Sequence, residues 1–209
     1  MTALLSRAML SAGLALVLVS SATAQVAGRH QGIWITGGMG FGSAKISCAE
    51  CEDGNLGSGP TGTLGLGVGL SRRLFLGAEV TGWFKETNGV NDRAGFAALT
   101  LRYSPLIGRQ LFVGAGAGFG RHRTGVRRDG PLSDREGLTQ SAAAWRLESG
   151  IDLPLGSQFV LTPNISYNRA MNSDLRKDGS SLDVSAAFSV MQFGLSLSWS
   201  WSFPPTTDP

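Results

Sequence analysis

The chain has 209 residues, with 18 basic against 15 acidic side chains, a formal net charge of +3 and only 16% charged residues. Its arginines are spread along the chain with no basic block interleaved with aromatics, which argues against a nucleic-acid partner. The 30 glycines follow no Gly-X-Y period and alternate with apolar residues, which excludes both a collagen-like rod and a disordered linker.

The N-terminus carries one cation, Arg7, then an apolar run from Met9 to Val19, then Ala22-Thr23-Ala24 before Gln25. That layout predicts a cleavable secretory signal over residues 1–24. The apolar run is shorter than the ~20 residues a spanning helix needs. Gln25 stands where a lipid-anchored protein would carry Cys. One domain is then expected over residues 25–203, with a Pro-rich tail at 204–209. No later apolar run is long enough for a helical span, so membrane entry has to use strands.

From residue 32 onward, side chains alternate in character over stretches of about ten residues, each ended by Gly, Pro, Asp, Asn or Ser, and period two means strand. The first stretch is Gly32 to Ile46. In the second, Thr61 to Leu70, Leu64, Leu66, Val68 and Leu70 oppose Gly65, Gly67 and Gly69. The third, Leu74 to Thr87, sets Leu76, Ala78, Val80 and Phe84 against Glu79, Thr81 and Lys85. The fourth, Arg93 to Tyr103, opposes Leu99 and Leu101 to Phe96, Thr100 and Arg102. The fifth, Leu111 to about Thr124, opposes Val113, Ala115, Ala117 and Phe119 to Phe112 and a row of glycines. The sixth, Ser141 to Leu153, sets Trp145 and Leu147 against Arg146, Glu148 and Asp152. The seventh is Phe159 to about Arg169. The last, Ser181 to Phe203, alternates Phe193, Leu195, Leu197, Trp199 and Trp201 with Gln192, Gly194 and serines.

About eight strands is the lower limit for a bacterial membrane barrel. Breaks at 71–73, 104–110 and 155–158 are short, while those at 47–60, 127–140 and 171–180 are longer and polar; only 88–92 is short where the alternation asks for length. Short inner turns alternating with longer outer loops suit a barrel with both ends in the periplasm. Closure removes the exposed strand edges. A barrel of this size has no room for eight rows of bulky apolar groups inside, so the apolar faces point outward to lipid. Glu79, Arg102, Arg146, Glu148 and Asp152 then form a charge network in the lumen, because unpaired buried charge is costly. Trp83, Phe84, Tyr103, Phe159, Tyr167, Trp199, Trp201 and Phe203 fall where headgroup-level girdles lie.

The stretch Gln192-Phe193-Gly194-Leu195-Ser196-Leu197-Ser198-Trp199 looks like the C-terminal assembly signal of outer-membrane barrels. With the leader and the strand count, the chain resembles the small outer-membrane β-barrel superfamily of the OmpA/OmpX type, without a C-terminal globular domain. The resemblance covers nearly the whole mature chain and implies an all-β, closed, antiparallel up-and-down transmembrane barrel in the cell outer membrane. It also implies outer-membrane lipid and lipopolysaccharide as surroundings, the barrel-assembly machinery as a partner during biogenesis, and a monomer. One departure is the Pro204-Pro205 tail beyond the last aromatic.

Cys48 and Cys51, the two cysteines of the chain, fit a local disulfide in an oxidising compartment. A zinc site needs about four ligands, and no second CxxC is present. Arg121, Arg123, Arg127 and Arg128 gather at the third outer loop, either as an ordinary solvated loop or as contacts for lipopolysaccharide phosphates. His122, between two of them, reads as a solvated histidine; spacing assembles no Ser-His-acid set around it. The glycines from Gly114 to Gly120 alternate along a strand and open no helix, so they are no nucleotide loop. No catalytic residue, metal or cofactor is assigned. The expected role is structural or surface-interacting, with a lipid A-modifying enzyme and a secreted soluble barrel for a hydrophobic ligand as alternatives.

Overall fold

Strands that bury one face and show the other need a partner on each edge, and the computed structural model shows how this chain supplies them. It describes residues 32–48, 54–71, 73–105, 110–127, 134–177 and 180–202. The expected leader, the tail, Cys51 and Arg128 lie outside the described residues. The elements are β1 (Gly32–Cys48), β2 (Asn55–Gly69), β3 (Leu74–Thr87), β4 (Val90–Tyr103), β5 (Leu111–Arg127), β6 (Asp134–Ile151), β7 (Leu153–Pro154), β8 (Phe159–Lys177) and β9 (Ser180–Ser202). The two residues of β7 prolong β6 past Asp152 and pair with β8. The barrel therefore has eight staves.

Consecutive staves pair antiparallel, and β1 pairs with β9 along its whole length, from Gly32↔Ser202 to Cys48↔Ala186. The ring is closed and leaves no free edge. Both ends of the described chain lie together, at the end carrying the turns after β2, β4 and β7. That is the periplasmic end of such a barrel.

Four strands run further outward than alternation predicts. β2 begins at Asn55, β4 at Val90, β6 at Asp134, and β8 continues to Lys177. In these extensions isolated apolar residues such as Leu56, Val90, Leu138 and Leu175 stand among polar residues and glycines with no alternating run, so side-chain period is weak there, while backbone pairing with the neighbouring strand continues. The expected break at 88–92 shrinks to the two residues Asn88 and Gly89, with φ of 52° and 77°. Positive φ at both central positions is the hairpin turn whose twist matches its strands.

The outward face is apolar: Met39, Phe41, Leu64, Leu66, Val80, Leu99, Phe119, Leu147, Phe193 and Leu195 are all exposed. An apolar surface this continuous is not tolerated in water. The arrangement is inverted relative to a soluble calyx, which sets aside the soluble alternative. Trp199 and Trp201 pack against each other at the periplasmic edge, ring centroids 3.9 Å apart and planes tilted by 51°. Trp83 corrects the expected girdle: it is buried inside the barrel and its indole Nε1 donates to the Gly42 carbonyl at 3.1 Å. Its place follows from strand parity, since it shares a face with Glu79 and Thr81 and not with Phe84.

Candidate functional site

The interior is filled at two heights. In the lower, membrane-embedded half, four charges from three strands meet: Glu79 from β3, Arg102 from β4, and Arg146 and Glu148 from β6. Arg102 Nε donates to Glu148 Oε1 at 2.6 Å and its Nη2 to Glu79 Oε1 at 2.5 Å. Arg146 Nη2 lies 2.9 Å from Glu148 Oε2 and 3.2 Å from Glu79 Oε2. Each carboxylate thus faces both guanidiniums, and the four formal charges cancel. The remaining donors of Arg146 reach Thr81 Oγ1 at 2.8 Å and Asn168 Oδ1 at 3.2 Å. Such complete pairing is what allows ionised groups to sit out of water.

The glycine rows make this cluster fit. A Cβ on Gly114 would stand 2.8 Å from Glu148 Cγ, and one on Gly65 would stand 2.8 Å from Glu79 Cγ. The Trp34 ring likewise occupies the space that side chains at Gly67 and Gly77 would need. The Arg102 guanidinium lies between two rings, 5.1 Å from that of Trp34 and 5.0 Å from that of Phe112, in cation–π geometry. Asp152 stands in the break between β6 and β7, where it accepts a hydrogen bond from Thr162 at 2.7 Å. It lies within electrostatic reach of Arg102.

Above the charges sits an apolar layer that alternation did not single out. Ala44, Trp83, Ala94, Phe96, Ala144, Ala170, Phe188 and Val190 pack together across the barrel. The Phe96 and Phe188 rings are 5.2 Å apart. The signal for this layer was present in the parity of Phe96 and Trp83, both on the inward face.

His122 needs correction as well. It is 1% exposed and points into the lumen, against Phe188 at 5.6 Å between ring centroids. The same parity that sends Arg121 and Arg123 outward turns His122 inward. Its Nε2 is 3.8 Å from Asp92 Oδ1, beyond hydrogen-bond length, and neither ring nitrogen has a hydrogen-bond partner among the described residues. Asp92 instead accepts from Thr124 Oγ1 at 2.6 Å, and the neighbouring Gln140 donates to the Ala186 carbonyl. Among the described residues no hydroxyl or thiol is hydrogen-bonded to this imidazole.

On the outside, Arg121 and Arg123 are exposed beyond Phe119 on β5. Arg127 ends that strand. Cys48 ends β1.

The sequence matches the outer membrane protein beta-barrel domain family over residues 12–200. No curated protein matches it. Among solved structures, Neisserial surface protein A is 15% identical with a TM-score of 0.55, covering 81% of this chain and 97% of that one. OprG from Pseudomonas aeruginosa is 13% identical with a TM-score of 0.49, covering 84% of this chain and 99% of that one. The N-terminal barrel domain of Pseudomonas aeruginosa OprF is 10% identical with a TM-score of 0.46, covering 82% and 98%. With an eight-stave ring that is apolar outside and polar within, and a match spanning nearly the whole sequence, this chain belongs to the outer membrane protein beta-barrel domain family and resides in the cell outer membrane.

Proposed function

We propose that the protein is a non-conducting barrel with a structural or surface-interacting role in the outer membrane and no catalysis of its own. The observation that carries this reading is the double filling of the lumen, by the Glu79–Arg102–Glu148–Arg146 cluster below and the Trp83–Phe96–Phe188 layer above. A channel needs a continuous water path, and an eight-stave barrel is narrow enough for side chains to close it. Refolded protein in planar bilayers is expected to show no discrete conductance steps in potassium chloride; reproducible openings of the unmodified protein would overturn the reading. The part without catalysis is tested by lipid A profiling of a deletion strain, where a changed acylation pattern would contradict it.

The surface role places lipopolysaccharide against the outer wall. Arg121 and Arg123 extend from the upper end of the apolar band, and guanidiniums bind phosphates by paired, charge-assisted hydrogen bonds. Arg127 and Arg128 continue the same segment. Cys48 and Cys51 are proposed to form a disulfide closing the first outer connection. Intact-mass measurement with and without reductant checks it: the native protein is expected to gain two hydrogens on reduction, and free thiols before reduction would exclude the bond.

A further inference from the structure

Neighbouring staves pair all round the ring, but one seam is paired over only part of the length its strands share. β2 runs outward to Asn55 and β3 to Thr87, yet their ladder ends at Thr61↔Trp83. In that register the next rung sets Pro60 against Phe84. The inner end of the seam fixes the direction of each backbone: Leu70 N donates to Leu74 O, both on the outward parity of their strands. Residues of that parity on β2 direct N–H and C=O at β3, because an opposed hydrogen-bonded pair exchanges both groups. Pro60 has the same parity and no N–H to give. Within sheets proline is otherwise confined to edges and bulges, because it removes a ladder bond.

Above Pro60 the seam is held by side chains. Lys85 Nζ donates to the Leu56 carbonyl at 2.8 Å, and Trp83 Nε1 reaches over β2 to the Gly42 carbonyl of β1 at 3.1 Å. Two glycines give these groups room: a Cβ on Gly57 would collide with Lys85 Nζ, and one on Gly59 with the Phe84 carbonyl. Gly57 has φ of 87°, and the register of β1 on β2 shifts beside it at Ala44/Lys45, so β2 bends at its outer end. A cavity of about 640 Å³ lies at this seam, lined by Phe41, Ser58, Pro60, Phe84 and Lys85 among others. At the same height the β4–β5 ladder is unbroken: Phe84 is level with Arg93, Arg93 with Arg123, and pairing runs on to Val90↔Val126.

We propose that the outer end of the β2–β3 seam is a latched opening in the barrel wall. β2 and β3 part above Thr61↔Trp83 when Lys85 releases Leu56, while the neighbouring seams stay paired. Pro60 removes the rungs that would resist the parting, and Lys85 replaces them with one bond that water can take over. That exchange costs far less than unzipping a ladder, which places the seam among the parts of the fold that open locally. The opening leads to the luminal layer at Trp83, and the charge cluster beneath stays in place, so the seam parts without conduction.

The test is hydrogen exchange by NMR on the refolded protein in detergent micelles, with heat-modified gel mobility to verify that each variant is folded. The Trp83 indole N–H and the Phe84 amide report on the seam, and the Arg93 and Arg123 amides report on the β4–β5 ladder at the same height. The Trp34 indole, buried in the lower lumen, reports on the rest of the interior. After correction for intrinsic rates, the Trp83 indole and Phe84 amide are expected to exchange about tenfold faster than Arg93 and Arg123, although Trp83 is only 1% exposed. Lys85→Met keeps the stem and removes the donor; it is expected to speed exchange at Trp83 and Phe84 by a further factor of about ten and to leave Arg93, Arg123 and Trp34 unchanged. Pro60→Val supplies the missing N–H and is expected to slow both seam sites to the level of β4–β5. Equal protection of the two seams in the unmodified protein would overturn the opening. A rise at all sites alike in Lys85→Met, or none at the seam, would overturn the latch. Seam exchange unaltered by Pro60→Val would overturn the part assigned to the proline.

Discussion

Arg146→Ala is expected to lower the unfolding free energy of the barrel by about 3–5 kcal/mol, the range for breaking a buried ion pair from one side. The variant keeps Glu79 and Glu148, and both would then depend on Arg102 alone, with one negative charge in excess inside the membrane-embedded lumen. The loss also frees Thr81 Oγ1 and Asn168 Oδ1 from their donor. Urea unfolding in detergent micelles, followed by tryptophan fluorescence, reads the change. Adding Glu148→Gln to Arg146→Ala is expected to recover part of the loss, because it removes the excess charge instead of stranding it. A double-mutant cycle gives the coupling. A destabilisation of Arg146→Ala no larger than an ordinary surface change would mean that water, and not pairing, solvates these carboxylates.

The second large effect concerns the upper layer. Trp83→Ala is expected to cost about 3–5 kcal/mol, as large-to-small changes of buried aromatics do. The indole is 1% exposed and also donates to the Gly42 carbonyl, so the substitution leaves both a cavity and an acceptor without its donor. Conductance separates the two layers. Trp83→Ala alone is expected to leave the barrel closed, since the charge cluster still fills the lumen below it, and Arg146→Ala alone is expected to leave it closed from above. The pair together is expected to pass ions. If either single variant conducts, one layer is the whole barrier and the filling is not in series.

The parity of strands explains why so much of this arrangement was legible early. Leu64, Leu66 and Val68 alternating with Gly65, Gly67 and Gly69 specify both a strand and the side that faces lipid, because a strand's side chains point to opposite faces in turn. Glu79, Arg102, Arg146 and Glu148 all fall on the small-residue parity, which by itself puts them in the lumen. The same rule, applied residue by residue, also turns His122 and Trp83 inward. Proximity to arginines and to a strand end suggested otherwise for each, and local context was the weaker guide. The outer segments of β2, β6 and β8 were illegible because their few apolar residues, such as Leu56, Leu138 and Leu175, form no alternating run among polar residues and glycines; backbone pairing there leaves little trace in side-chain period.

The sequence by itself determined the strand-by-strand apolar set, the inversion of that set toward lipid and the composition of the lumen, since each follows from period two and from the cost of burying charge. Only the tertiary structure decided which residues meet. Glu79, Arg102 and Glu148 come from three strands, and their contact depends on the register of β3 on β4 and of β5 on β6, with Gly65 and Gly114 leaving them room. Register and closure likewise set Arg93 opposite both Phe84 and Arg123 and stack the apolar layer over the charges. Such relations depend on backbone hydrogen bonding between strands far apart in sequence, to which the alternation within any single strand is blind.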